Sequence, residues 1–244
     1  VADERRQRYL VETELRSSFI ERAPLFRGLA RTECLELARR ARDRWALRRQ
    51  FFFHEGEAAA DVWILATGLA KLTQASAEGA QVILRLVGPG EILGGLGLAA
   101  GAAQSSTSQA LEDCHALALD RATFDEAAAR SPVIQRNALR ILGERLRLAE
   151  DRLRELATDK APVRVARALL RLAVQVGQPT QGGVVVRLSR EDVAQMTGTT
   201  LFTVSRLLSG WEEQGLLRGG RERIVVADAG GLSRLVAGPG PTPD

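Results

Sequence analysis

Two cysteines, two histidines and no long apolar run are what this chain of 244 residues has to offer the chemistries that need them. Cys34 and Cys114 stand about 80 residues apart, which excludes a disulfide scaffold and matches no zinc or iron–sulfur spacing. They read as buried free thiols. No stretch approaches the ~20 apolar residues that span a bilayer. The opening VADERRQRYLVE lacks the apolar core and cleavage site of a secretory signal, so a cytoplasmic location is expected. There is no nucleophile–base pattern, metal-ligand cluster or phosphate-cradling glycine loop followed by lysine, so the chain does not read as an enzyme. GPGEILGGLG is glycine-rich but lacks the strand–turn–helix setting of a dinucleotide site.

What is present is charge, unevenly placed. The length suits two domains. The net charge is +4. Residues 160–235 carry 11 Lys+Arg against 6 Asp+Glu, residues 1–159 carry 23 of each, and Asp244 supplies the remaining negative charge. A polyanion would meet the C-terminal third.

Residues 1–22 form a charged lead, either a helix or partly disordered. From Phe51 to Leu119 short apolar runs alternate with glycine turns (VWILATG, QVILRLVGPG), the texture of a small all-β roll or sandwich. After Ser131-Pro132 a long helix carries Leu139, Leu142, Leu146, Ala149, Leu153 and Leu156 in 3-4-3-4-3 spacing. So narrow a seam predicts a coiled-coil dimer interface. Thr158–Pro162 is expected to break that helix, because Pro162 disfavours helical geometry at Ala161. A second helix is then expected from Val163 to Val176, followed by a turn region over 177–183, a strand over Val184–Leu188, and a disordered tail.

The chemistry concentrates after residue 188. Ser189 with Asp192 three residues on is a helix-opening cap, Thr197-Gly198 a stop, and Thr200 or Thr199 the cap of a second helix that reaches Gln214. Helix, short glycine turn, helix is the spacing of a helix-turn-helix. In the second helix Val204, Leu207, Leu208 and Trp211 make the buried face, leaving Leu201, Phe202, Ser205, Arg206 and Ser209 outward. Arg206 can bond guanine O6 and N7 together. Thr199, Thr200 and Ser205 suit phosphates or base edges near a helix N-terminus. Leu201 and Phe202 either touch thymine methyls or pack on protein. LLRGGRERIVVAD reads as two strands around Gly219-Gly220, a wing whose Arg218, Arg221 and Arg223 would straddle the phosphate backbone.

On the strings FFFHEGEAAADVWILATGLAKLTQ, GAQVILRLVGPGEILGGLGL, LSREDVAQMTGTTLFTVSRLLSGWEEQGLL and GRERIVV, in that order, residues 23–235 resemble the cyclic AMP receptor/fumarate-nitrate regulator (CRP/FNR) family. The resemblance implies an α+β fold with an N-terminal cyclic-nucleotide-binding-like β-roll, a long dimerisation helix and a C-terminal winged helix-turn-helix. It implies a homodimeric, DNA-binding transcription regulator that contacts RNA polymerase. The expected organisation is a lead over 1–22, a sensor β-roll over 23–132, a dimerisation helix over 133–157, a hinge over 158–162, a winged domain over 163–235 and a tail over 236–244.

The resemblance also marks departures. The effector pocket would comprise Gly94, Gly95, Leu96, Ser105, Ser106 and Ala149. Gly95 stands where cyclic-AMP-binding members carry Glu, Ser105-Ser106 where they carry Arg-Ser, and Ala149-Glu150 where they carry Thr-Ser. A cyclic phosphate would lose its cation, which argues against cyclic AMP. Two distant cysteines argue against the iron–sulfur cluster of oxygen-sensing relatives. Phe202 replaces a common Glu in the reading helix, so the usual half-site is not assumed. TTLFTVSRLLSGWE looks like the nitric-oxide-responsive denitrification regulators, which are associated with haem, so a haem-dependent regulator sensing nitric oxide or carbon monoxide is one alternative. Haem could take only His54 or His115 as a histidine ligand, and Cys114 and His115, adjacent in a strand, would point to opposite faces. A constitutive regulator without effector is the alternative.

Overall fold

A computed structural model describes residues 2–94, 103–220 and 222–237, with side chains from Glu12 onward. The chain divides into two compact units, 1–74 with 84–147, and 75–83 with 148–244.

The charged lead is helix α1 (Ala2–Arg22), and α2 (Arg31–Arg40) follows. Eight strands then build the roll: β1 (Arg42–Ala46), β2 (Phe51–Phe53), β3 (Asp61–Thr67), β4 (Ala70–Ala75), β5 (Gln81–Val87), β6 (Ile92–Leu93), β7 (Thr107–Ala110) and β8 (Cys114–Asp120). They form two antiparallel-paired sheets ordered β1-β8-β3-β6 and β2-β7-β4-β5. Alternation sends Phe53, Leu72, Val87, Leu93, Ala110 and Cys114 into a core between them. The outer side of β8 and β3 packs instead on helices, through Leu117, Leu119, Val62 and Ile64 against Ile20, Phe26 and Phe124. Buried on both faces, β8 lacks the polar alternation of a solvated strand.

Residues 121–130, left unassigned by pattern, are helix α3 (Arg121–Arg130). Asp120 caps it, accepting from Thr123 N at 2.9 Å and from Thr123 Oγ1 at 2.8 Å. Helix α4 (Pro132–Thr158) roots its first turns in the same core through Ile134 and Ala138. Asn137 Nδ2 donates to the carbonyls of Leu25 and Arg27 at 3.0 and 2.8 Å. Farther along, Leu139, Leu142, Leu146, Leu153 and Leu156 are exposed.

In the second unit α5 (Ala161–Gln175) starts two residues earlier than expected. Pro162 lies in its first turn, where a missing N–H costs nothing, so the break falls at Asp159–Lys160. The turn region holds β9 (Gln178–Thr180), paired with β10 (Gly183–Val186). Then come α6 (Arg190–Thr197), α7 (Leu201–Glu213), β11 (Leu217–Gly220), β12 (Arg223–Val226) and α8 (Ala229–Ala237). The sheet runs β11-β12-β10-β9, and α8, another element the pattern did not show, packs on α5. The core joins Val165 and Leu169 to Val193, Val204, Leu208, Trp211, Ile224 and Leu232. No helix among the described residues is long and apolar enough to cross a membrane.

Gly68, between β3 and β4, sits in a close turn at φ +89. A Cβ there would stand 2.6 Å from Asp113 O and 2.7 Å from Cys114 Sγ. Gly56 has a similar φ of +85 but open space around it. Gly68→Ala should therefore lose more than ~2 kcal/mol of stability and Gly56→Ala only ~1, read from urea unfolding. Equal losses would contradict this packing.

Candidate nucleic-acid interface

The helix-turn-helix is set by local hydrogen bonds. Ser189 Oγ accepts from Asp192 N at 3.0 Å, and Asp192 Oδ2 accepts from Ser189 N at 3.0 Å, a reciprocal box that satisfies two free donors of α6. Gly198 ends α6 in the left-handed region (φ 60, ψ 43). Thr200, rather than Thr199, caps α7 by accepting from Thr203 N at 3.1 Å.

Tertiary contacts then fix the turn. Arg164 on α5 donates from Nε to Thr197 O (3.0 Å), from Nη2 to Gly198 O (3.3 Å) and from Nη1 to Asp159 O (2.7 Å). Arg190 reaches across from α6 to Glu212 at 3.0 Å and lies 3.5 Å from both Ser205 O and Ser209 Oγ. Neither arginine is distinguishable in the sequence from a solvated one, because all its partners but Asp159 O, five residues from Arg164, are 15 or more residues away.

With Val204, Leu208 and Trp211 buried, α7 turns Leu201, Phe202 and Arg206 to solvent, with Ser205 and Ser209 half-exposed beside them. Phe202 is 75% exposed, an unusual state for a large aromatic side chain. Of the cap residues, Ser189 and Thr199 are half-buried and Thr200 is exposed.

The wing differs from expectation. Gly219 and Gly220 lie inside β11, paired with Ile224 and Arg223, and Glu222, just before β12, takes φ 56. Arg218 and Arg223 are exposed on the strands, and Arg221 lies outside the described residues.

In the roll, the proposed pocket residues are only partly described. Gly94 has φ +72, and a Cβ there would meet Gln104 Oε1 and Phe53 Cζ, each at 2.8 Å. Ser105 is exposed and Ser106 buried, Ala149 is exposed on α4, and Gly95 and Leu96 lie outside the described residues. Both cysteines are free and buried, and burial pushes each thiol up to about 11. Cys114 Sγ faces Leu69 O at 3.3 Å, while His115 points the other way, as strand geometry requires.

His115 is enclosed. Its Nε2 lies 2.7 Å from Asp43 Oδ1, Trp45 stacks on the ring at 4.1 Å, and Phe19 meets it edge-on at 5.8 Å. Arg16 donates to the same carboxylate from Nε at 2.9 Å. With Nε2 given to Asp43 and Trp45 and Phe19 against the ring, His115 is held as a structural group in the roll. His54 is exposed beside Phe51 (centroids 4.6 Å).

Comparison with known proteins gives two matched domains. Residues 163–235 match the family model described as a Crp-like helix-turn-helix domain, and residues 44–131 match the cyclic nucleotide-binding domain. The cyclic AMP receptor protein of Thermus thermophilus is 31% identical over 217 residues, covering 88% of this chain and 98% of that one. The CRP-like cAMP-activated global transcriptional regulator of Mycobacterium tuberculosis is 27% identical, covering 88% and 97%. Among solved structures, FixK2 from Bradyrhizobium japonicum superposes with a TM-score of 0.71 at 27% identity, covering 82% of this chain and 99% of that one.

Asp43 generates a pH dependence. Burial raises its carboxyl, but hydrogen bonds and charge from Arg16 and His115 outweigh that and hold it below the ordinary 3.8. A depressed carboxylate contributes stability above its unfolded value and loses it as pH falls through the folded one. Asp43→Asn should cost on the order of 1 kcal/mol at pH 7 and flatten the acid limb of the wild type below about pH 4, read as thermal midpoint against pH. Parallel acid limbs would contradict the pairing.

Proposed function

The chain belongs to the CRP/FNR family of transcription regulators, and we propose that it acts as a homodimer reading a palindromic operator through the outward face of α7. The observation that carries this is that face itself. Leu201, Phe202, Ser205 and Arg206 are presented together, on a helix immobilised from behind by Val204, Leu208 and Trp211. Arg206 supplies the forked donor for guanine, and Leu201 and Phe202 supply apolar surface for thymine methyls. Ser189, Thr199 and Thr200, beside the free N–H groups of the helix starts, hold phosphates. Arg218 and Arg223 on the wing, with Arg221, hold the backbone to either side.

The dimer follows from α4. Leu139, Leu142, Leu146, Ala149, Leu153 and Leu156 form an exposed apolar seam one residue wide, which suits a second copy of the same helix. Covering each leucine is worth about 2 kcal/mol. Two α7 helices related by that dyad would enter successive major grooves about 34 Å apart.

The β-roll is the sensor in this reading. It lacks the arginine with which cyclic-AMP-binding members hold the phosphate, so its effector differs from cyclic AMP or is bound differently. The signal moves the winged domain about the break at Asp159–Lys160. Glu155, 5% exposed, pairs there with Arg171 at 2.5 Å and Arg167 at 3.6 Å, and Asp159 faces Arg167 at 3.2 Å. Breaking such a buried pair costs several kcal/mol, enough to separate two discrete arrangements. The DNA-bound dimer then meets RNA polymerase at a promoter.

Two experiments test this. Arg206→Ala should relax preference at one base pair of a selected operator, worth ~1–3 kcal/mol there, whereas Arg218→Ala should weaken all sequences alike and lower the salt slope by about one. Wild-type behaviour of both in salt titrations would show that the wrong face has been assigned. Leu146→Glu should convert the dimer to monomer in sedimentation, with Val174→Glu, at a still more exposed site on α5, as the neutral control. Loss of the dimer in both, or in neither, would contradict the seam.

A further inference from the structure

We propose that Phe202 makes operator recognition depend on the 5-methyl group of one pyrimidine, so that 5-methylcytosine serves where thymine does and cytosine methylation is a signal that α7 reads. This rests on the reading of α7 as the recognition helix, and adds to it the chemical group by which one position is chosen.

What α7 can recognise is set by the side chains it carries. From Thr199 to Gly210 the chain has no Asp, Glu, Asn or Gln. A carboxylate that accepts from cytosine N4 is therefore missing, and so is an amide that pairs with adenine N6 and N7. Farther along, Glu212 is held by Arg190 at 3.0 Å, and Glu213 is the last residue of the helix. Besides hydroxyls, two kinds of base contact remain. They are the fork of Arg206 for guanine and apolar contact with a methyl group on C5 of a pyrimidine.

Phe202 is placed for the second of these. Phe202, Ser205, Arg206 and Ser209 fall at i, i+3, i+4 and i+7, one stripe on the side of α7 away from the buried Val204, Leu208 and Trp211. Leu201 precedes the buried Leu208 by seven, so it borders the core face, and it is 50% exposed against 75% for Phe202. Thr200 caps the helix, which puts Phe202 in its first turn, the end that meets base edges in a major groove. Among the described residues, Phe202 belongs to no packed core and no aromatic ring meets it. Residues 160–235 carry 11 Lys+Arg against 6 Asp+Glu, so the partner that covers this ring is a polyanion. Arg206 lies about 6 Å farther along the axis, so the two side chains reach base pairs within about two steps of each other.

Apolar contact has a chemical consequence. Thymine and 5-methylcytosine carry the same methyl group at the same ring position. They differ at C4, where thymine presents an acceptor and 5-methylcytosine a donor. A carboxylate in the reading position tells those two bases apart, and a phenyl ring has no polar atom with which to do so. Phe202 therefore separates a methylated pyrimidine from an unmethylated one more sharply than it separates thymine from 5-methylcytosine.

The test uses the full-length protein and the duplex it enriches from a randomised library, with affinity read by fluorescence anisotropy. Each thymine is replaced singly by deoxyuridine, which removes only the methyl group, and each cytosine by 5-methylcytosine, which adds only that group. At one position per half-site deoxyuridine should lower affinity about fourfold, the worth of one buried methyl group. A C·G pair placed at that position should bind about fourfold tighter when its cytosine is methylated. Both ratios should fall to one in Phe202→Ala and persist in part in Phe202→Leu. Both should survive in Arg218→Ala, which weakens all sequences alike. Phe202 is exposed, so neither substitution there disturbs the core. Deoxyuridine tolerated at every position, or methyl dependence that persists in Phe202→Ala, overturns the proposal. 5-Methylcytosine no better than cytosine at the thymine-dependent position confines the source to thymine and overturns the methylation signal. Failure to enrich any duplex contradicts the reading of α7 itself. An Arg206-dependent inverted repeat without methyl dependence keeps that reading and overturns the role of Phe202 alone.

Discussion

Arg164 gathers three backbone carbonyls with one side chain. Those of Thr197 and Gly198 belong to the turn of the helix-turn-helix, and that of Asp159 to the break between α4 and α5. These carbonyls sit at helix C-termini or in a turn, where no intrahelical donor reaches them and a guanidinium is electrostatically favoured. The direction of α7 depends on this clasp. A helix of 13 residues is marginal by itself, and its apolar inner face fixes rotation about the axis better than it fixes the approach angle. The same clasp ties the turn to the residue at which the two long helices part, so movement at the break is felt at the turn.

The rest of the winged unit can be read as support for that geometry. The capping box of Ser189 and Asp192 starts α6, Gly198 redirects the chain, and the Arg190–Glu212 pair holds α6 and α7 at their far ends. Behind them, Val165 and Leu169 of α5 and the β10–β12 sheet close the core. What remains outside is short of polar partners: two apolar side chains, an arginine and two serines.

Much of this was legible in the sequence because it is local. Ser189 with Asp192, Gly198, the i, i+3, i+4, i+7 run ending at Trp211 and the leucine seam all announce themselves within a few residues. The differences are local too. Pro162 suggests a break but the first turn of a helix tolerates it, and Gly219-Gly220 suggests a turn but both lie in β11. Helices α3 and α8 show little in the sequence because alanine- and glycine-rich segments carry weak apolar periodicity. The distant partners of Arg164 and Arg190, and the enclosure of His115, are beyond reach for a different reason. In a chain with 34 basic residues, an arginine that bonds a distant carbonyl has the same sequence signature as one in solvent.

The central claim is that α7 reads a two-fold operator. Selection of duplexes from a randomised library by the full-length protein tests it most directly. The account predicts enrichment of an inverted repeat whose half-site centres lie one helical turn apart, about 10 base pairs. Enrichment of a single unrepeated motif, or of no sequence above the starting pool, would contradict it.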